Sequence, residues 1–196
     1  SLSSDGSIVA IGARYNDGNG VSSGHARVYS FNGVSWIQLG QDIDGEAPMD
    51  DSGWSVSMDS DGNTIAIGSP DNDDNSNNSG QVRIYEYVNN SWSKIGNNIN
   101  GLTYQEETGH SLSISSDGNI FVTGAPWNQF NGYGTGLTRV FSLSGCTDSS
   151  YIEYNSYSVI NDSSCNTLKV YGCTDPISYN YNSNANIDDG SCCYQS

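Results

Sequence analysis

Apolar residues along this chain come in short runs, divided by stretches rich in Asn, Asp, Ser and Gly. The clearest segment reads "GWSVSMDSDGNTIAIGSP", then a polar loop, then "GQVRIYEYVNNSWSKIG" and "NNING". Its pattern predicts four strands, Ser55–Met58, Thr64–Gly68, Gln81–Tyr87 and Ser91–Ile95. "SDGN" predicts a tight hairpin turn in which Gly62 supplies a positive φ, and "VNN" predicts a second hairpin tip. The second strand, "TIAI", is apolar on both faces, so it must be covered on both sides. A single four-stranded sheet cannot provide that cover, whereas neighbouring sheets stacked on it can.

The segment recurs. "SLSSDGSIVAIGAR" (1–14), "SMDSDGNTIAIGSP" (57–70) and "SISSDGNIFVTGAP" (113–126) place Asp5, Asp61 and Asp117 at intervals of 56 residues. The same period relates Gly12, Gly68 and Gly124; Gly24, Gly80 and Gly136; Arg27, Arg83 and Arg139; and Tyr29, Tyr85 and Phe141. Trp36 matches Trp92, and "GQDIDG" (40–45) matches "GNNING" (96–101). Four strands per unit with burial between units predict an all-β fold of stacked four-stranded antiparallel blades of β-propeller type. Three units are expected, at about 1–52, 53–108 and 109–144, with a disulfide-rich tail after them. Kelch and WD40 blades run about 40–50 residues, so this blade carries a long loop. The first unit lacks its "GxSV" start and the third lacks the Trp strand, which suggests a piece of something longer or ends completed by other chains.

The stretch "SGWSVSMDSDGNTIAIGSPDNDDNSNNSGQVRIYEY" resembles the FG-GAP-type repeat of integrin α-chain propellers and of many secreted proteins. "SGWS" and "TGHS" stand at its Phe-Gly signature; "GSP" (68–70) and "GAP" (124–126) match its Gly-Ala-Pro, and "GAR" (12–14) departs from it. The resemblance implies an extracellular propeller blade. It also implies calcium in an Asp-rich loop, but "DSDGN" is too short for the usual ligand set and reads as a hairpin turn.

Composition narrows the partners. With 22 acidic and 6 basic residues the net charge is −16. Nucleic acid and anionic membrane surfaces are thereby disfavoured, and no apolar run approaches the roughly 20 residues of a membrane span. All five cysteines follow residue 145, a clustering that points to an oxidising, extracellular compartment. Glycosylation sequons at Asn77, Asn89 and Asn161 agree with export.

The tail is a second repeat. "GCTDSSYIEYNSYSVINDSSC" (145–165) and "GCTDPISYNYNSNANIDDGSC" (172–192) align without gaps and share 11 of 21 positions. They resemble short "GCTDPxAxNYNxxAxxDDGSC" modules found in tandem near the C-termini of secreted proteins. The first copy departs at Ser149 and Ser163. The repetition suggests the pairs Cys146–Cys165 and Cys173–Cys192, although five cysteines with one unpaired leave other arrangements open. Cys193 then stays free, bonds to another chain, or displaces Cys192. Asp175, Asn182, Asn184, Asn186, Asp188 and Asp189 gather oxygen donors suited to Ca²⁺, or else to side chain–backbone turns.

No catalytic constellation stands out. His25 and His110 are not repeated and have no Cys or His at metal-ligand spacing, and no nucleophile-elbow motif accompanies them. The expectation is a non-enzymatic protein. Arg27, Arg83 and Arg139 take half of the basic residues; they are either repeated anion- or glycan-binding points or structural arginines packed along the neighbouring aromatic ring and paired with a turn Asp. Trp36 and Trp92 alternate with polar neighbours and are expected in the blade-to-blade core. Trp127, Phe130 and Tyr133 in "PWNQFNGYGTG" lie in a loop and are the better glycan-binding candidates. The reading is a secreted structural or adhesive repeat protein, a subunit of a cell-surface or filamentous assembly that self-associates or binds other extracellular proteins. A carbohydrate-binding β-propeller module is the alternative.

Overall fold

The computed structural model describes residues 1–132 and 134–194. The chain divides into two units, Ser1–Leu143 and Ser144–Ser196, and no helix occurs among the described residues.

The first unit is built of antiparallel sheets. One contains β1 (Ile8–Ala13), β2 (His25–Phe31), β3 (Trp36–Gln38) and β4 (Ile43–Asp44), with β2 at its centre pairing β1, β3 and β4. The next runs in chain order through β5 (Ser55–Met58), β6 (Thr64–Ser69), β7 (Gln81–Val88) and β8 (Ser91–Asn100). In the third, β10 (Ile120–Ala125) is flanked by β9 (Ser111–Ile114) and β11 (Leu137–Gly145). Register repeats with the sequence: Ile11 faces Arg27, Ile67 faces Arg83 and Thr123 faces Arg139.

The "SDGN" elements form the predicted turns. Gly6, Gly62 and Gly118 have φ of 71°, 72° and 72°, a region that a side chain disfavours. The polar residue opening each turn closes it. Ser3 Oγ accepts from the Ile8 amide (2.9 Å), Asp59 Oδ1 from Thr64 (3.1 Å) and Ser115 Oγ from Ile120 (2.9 Å). Asn89 and Asn90 form the other hairpin tip with φ of 53° and 63°. β8 runs past the predicted Ile95, because the pairing of Val82 with Ile99 and of Ile84 with Ile95 leaves a bulge at Gly96–Asn98. Gly96 and its repeat partner Gly40 both have positive φ, and in the first sheet the same irregularity separates β3 from β4.

Stacking buries the apolar strands. Ala10, Ala26, Val28 and Ile43 of the first sheet meet Met58, Ile65, Ile67, Tyr85 and Trp92 of the second in one core. Backbones also approach closely: a Cβ on Gly12 would strike the Gly53 carbonyl, and one on Gly68 would strike that of Gly109. The turns are linked in series, Ser4 N–H to Ser60 O (2.9 Å) and Ser60 N–H to Ser116 O (3.0 Å).

The second unit contains β12 (Ser158–Asn161), β13 (Tyr171–Gly172) and β14 (Ile187–Asp188), of which β13 and β14 pair in parallel. Cys146 bonds to Cys165 and Cys173 to Cys192, and Cys193 is free and exposed. The two modules repeat each other's hydrogen bonds. Asn155 N–H donates to Cys146 O and Asn182 N–H to Cys173 O; Asp148 and Asp175 each accept an amide two residues on. The apolar residues buried here are few: the half-cystines Cys146 and Cys173, and Val159.

Candidate functional site

The long loops after β1, β6 and β10 lie where each strand ends in its Gly-Ala/Ser step. In all three, one asparagine organises the loop. Asn16, Asn72 and Asn128 each accept the amide two residues on, at 2.8, 3.0 and 2.9 Å. Their carbonyls accept from Gly24, Gly80 and Gly136. Asn72 and Asn128 are buried, and each sends its Nδ2 to a carboxylate of the preceding unit, Asp50 (3.2 Å) and Glu106 (2.6 Å). These asparagines and carboxylates also recur at 56 residues, and that period alone is the signal by which they can be found.

The two buried carboxylates differ in environment. Burial pushes Asp50 above the usual carboxylate range, against hydrogen bonds from Asn72 and the Ala47 amide. Burial also pushes on Glu106, but its many donors outweigh it and hold the group below its ordinary value. Those donors are Thr108, the Leu102 and Thr103 amides, the Thr103 hydroxyl and Asn128.

The arginines tie unit to unit. Arg83 Nη2 donates to Asp44 O (3.0 Å) and Ser52 Oγ (2.8 Å); Arg139 Nη2 donates to Asn100 O (3.0 Å) and Thr108 Oγ1 (2.9 Å). Each guanidinium lies near the neighbouring ring, Tyr85 at 5.7 Å and Phe141 at 5.5 Å. Arg83 and Arg139 thus reach the preceding unit's carbonyl and hydroxyl, and each also pairs with a glutamate, Glu46 at 3.6 Å and Glu106 at 3.8 Å, where a turn Asp was expected. Arg27 does pair with an aspartate, Asp42, through Nε (2.9 Å) and Nη2 (2.6 Å). His25 Nδ1 lies 3.9 Å from both Asp42 and Asp44, a grouping with metal-ligand types. Asp42 is also committed to Arg27 and Gln38, and the Arg27 hydrogen bond holds it down at about 2.

Around the second and third loops lies a surface of aromatics and carboxylates. Trp127 is 50% exposed. Trp127, Glu107, Gln105, Gln129 and Gly134 line an open depression. Beside it, Trp54 packs on His110 at 5.1 Å, and Arg14 sits over Trp54 (3.9 Å) and Tyr15 (4.2 Å). Burial pushes Asp51, Asp71 and Glu107 upward, with Asp71's charge acting on the other two. Phe130 is exposed; Tyr133 lies outside the described residues.

The remaining sequence candidates are spread out. Asn77, Asn89 and Asn161 are all exposed. In the tail, Asp175, Asn182, Asp188 and Asp189 each accept a nearby amide in a separate turn, and Asn186 accepts from Val170. Asn184 donates its amide to Asn182. Trp92 is in the core as expected, with Nε1 donating to Leu39 O at 2.7 Å. Trp36 is not: it is 47% exposed, because the face that carries it has no sheet packed on it among the described residues.

No curated protein matches the chain in sequence. Among solved structures, Kuenenia stuttgartiensis hydrazine synthase superposes with a TM-score of 0.42 at 10% identity, over 72% of this chain. The chain spans 44% of the length of that one. Residues 43–85, from β4 to Tyr85 in β7, match the FG-GAP repeat family, so the matched repeat crosses from one sheet into the next.

Proposed function

We propose that this is an extracellular, non-enzymatic structural or adhesive repeat protein that serves as a subunit of a cell-surface assembly. The carrying observation is the interlocked stack, in which Arg83 and Arg139 clamp each unit to the one before by the same pair of bonds. The FG-GAP match and the two disulfides support an exported protein. The tail turns Ile177, Tyr179 and Tyr194 outward, side chains suited to protein contacts. A surface coated with the chain should hold beads bearing extracellular matrix glycoproteins, or the chain itself, against flow. Retention no better than on an albumin coat would end this reading.

A second reading, carbohydrate binding, is favoured by Trp127 at the depression with Glu107, Gln105 and Gln129. An exposed ring beside carboxylate and amide groups suits the apolar face and hydroxyls of a sugar. Trp127→Ala should abolish retention on a polysaccharide column while melting stays unchanged. Failure of the parent chain to bind any of a broad glycan panel would remove this reading.

A further inference from the structure

Where β2 begins and β4 ends, three side chains of metal-ligand type converge. His25 faces Asp44 directly across the antiparallel ladder. Asp42 and Asp44 flank Ile43, which is anchored in the core, and both carboxylates reach the same imidazole. His25 Nδ1 lies 3.9 Å from Asp42 Oδ2 and 3.9 Å from Asp44 Oδ1, and the three ligand atoms fall within 4.8 Å of one another. The imidazole is short of a partner. Its side chain is only 6% exposed, yet among the described residues neither ring nitrogen makes a hydrogen bond. The Asp44 carboxylate accepts none either. A buried ring is thus aimed at two carboxylates across gaps too long for hydrogen bonds.

The second unit shows that this arrangement departs from the repeat. One period on, His25 becomes Gln81, Asp42 becomes Asn98 and Asp44 becomes Asn100. There the place is closed by amide hydrogen bonds, with Gln81 Nε2 donating to Asp74 Oδ2 (2.7 Å) and Asn100 Oδ1 (3.2 Å). In the first unit Gly18 stands at the position of Asp74, and a Cβ there would lie 3.4 Å from Asp44 Oδ1. The first unit therefore exchanges a satisfied amide for an imidazole and two carboxylates, and it omits the side chain that would crowd them.

We propose that His25, Asp42 and Asp44 form a zinc site whose fourth position is taken by water. Bonds of about 2.1 Å in a tetrahedron set ligand atoms about 3.4 Å apart, so each gap has to close by only about 0.5 Å. Asp42 keeps its other bonds. A carboxylate oxygen has two lone pairs, so Oδ2 can hold both Arg27 and the ion while Gln38 steadies Oδ1. The imidazole selects zinc over calcium, which takes oxygen ligands. The bound ion staples β2 to β4, where the Asp44 carbonyl is the seat of Arg83.

Calorimetric titration of ZnCl2 into the full chain, with Cys193→Ser to remove the free thiol, should show one tight site per chain at physiological ionic strength. An excess of CaCl2 of about 100-fold should not compete. His25→Gln with Asp44→Asn gives the first unit the residues of the second, so circular dichroism should be unchanged. Zinc affinity should fall by at least about 100-fold, and the rise in melting temperature that zinc gives the parent should vanish. Asp44→Asn alone should weaken binding by at least about 10-fold, and His110→Gln should bind as the parent does. Cobalt(II) should give the visible bands of a four-coordinate ion in the parent and not in the double variant. No binding at millimolar zinc overturns the proposal. Binding that survives the double variant, that depends on His110, or that calcium displaces equally well belongs elsewhere on the acidic surface and overturns it too.

Discussion

The blade unit and the cysteine unit are both written as repeats, yet they are held by different forces. The blades bury aliphatic and aromatic faces between sheets, with Ile65 and Ile67 fully enclosed, and bring backbones together at Gly12 and Gly68. The cysteine unit leaves Tyr171, Tyr179 and Leu168 exposed and buries little beyond Val159 and its half-cystines. Its order comes from two covalent links and a series of short Asx turns. The difference follows from size. A module whose paired cysteines are 19 positions apart cannot enclose a core, so cross-links replace apolar burial. A stack of larger units covers both faces of the middle sheet, whose strand β6 is buried at every position.

The largest expected effect breaks the comparison outright. Reduction, or Cys173→Ser with Cys192→Ser, should unfold the affected module, since each bond is worth roughly 3 kcal/mol in the chain-entropy model. The blade unit, which has no cysteine before residue 145, should keep its melting transition. Limited proteolysis under reducing conditions should trim the chain to a resistant fragment ending near Leu143. Simultaneous loss of both units would mean that the tail supports the blades.

The next effect lies inside the blades. Ile67→Ala should cost about 3 kcal/mol, the range for removing a fully buried aliphatic side chain. Ile11→Ala, the same substitution one period earlier, should cost well under 1 kcal/mol in the monomer, because Ile11 is half exposed. Chemical denaturation of both variants measures the difference. Equal losses would show that the outer face of the first sheet is covered in solution.

A smaller effect compares one side chain in both units. Asn128 and Asn182 each accept the amide two residues on, at 2.9 and 3.0 Å. Asn128 is also buried and donates to Glu106 at 2.6 Å, whereas Asn182 is half-exposed and uses its oxygen in a local turn. Asn128→Ala should cost about 2 kcal/mol by leaving a buried carboxylate short of a donor, and Asn182→Ala about 0.5 kcal/mol. Differential scanning calorimetry that separates the two transitions would measure both.

Much of this architecture is legible along the chain. The 56-residue period, the doubly apolar second strand and the "SDGN" turn lead to four-stranded blades because each is a local signal with a single structural solution. What eluded the sequence depends on neighbours. The fate of Trp36 and Trp92 is set by which face of each sheet meets another sheet, and two identical local patterns cannot reveal it. The bulge at Gly96 joins "NNING" to a strand that the apolar pattern ends at Ile95. The Asn72–Asp50 and Asn128–Glu106 ties link polar residues 22 apart, and polar side chains in loops carry no periodicity of hydrophobicity to mark them as buried.

The smallest expected effect is a difference in pH response. In the blade unit Asp50, Asp51, Asp71 and Glu107 are pushed above their ordinary values, first by burial. A folded state that holds protons more tightly than the unfolded chain gains stability as pH falls from neutral towards the carboxylate range. In the cysteine unit the shifts run the other way. Side-chain and backbone hydrogen bonds from Thr167 hold Glu153 at about 2, and bonds from Ser164 and Ser191 lower Asp162 and Asp189. Their contribution is complete above the ordinary carboxylate range and is lost as pH falls through the lowered values. Blade groups such as Asp5 and Asp117, both near 2, join that loss only at the acid end. Between pH 7 and 5 the blade transition should therefore rise by on the order of 2 °C while the cysteine-unit transition stays level. Below about pH 4, near the ordinary carboxylate values, both should fall. Asp50→Asn removes one of the raised groups and should flatten the rise for the blades alone. A blade transition that falls steadily from pH 7 would show that the lowered carboxylates, Glu106 among them, outweigh the raised ones.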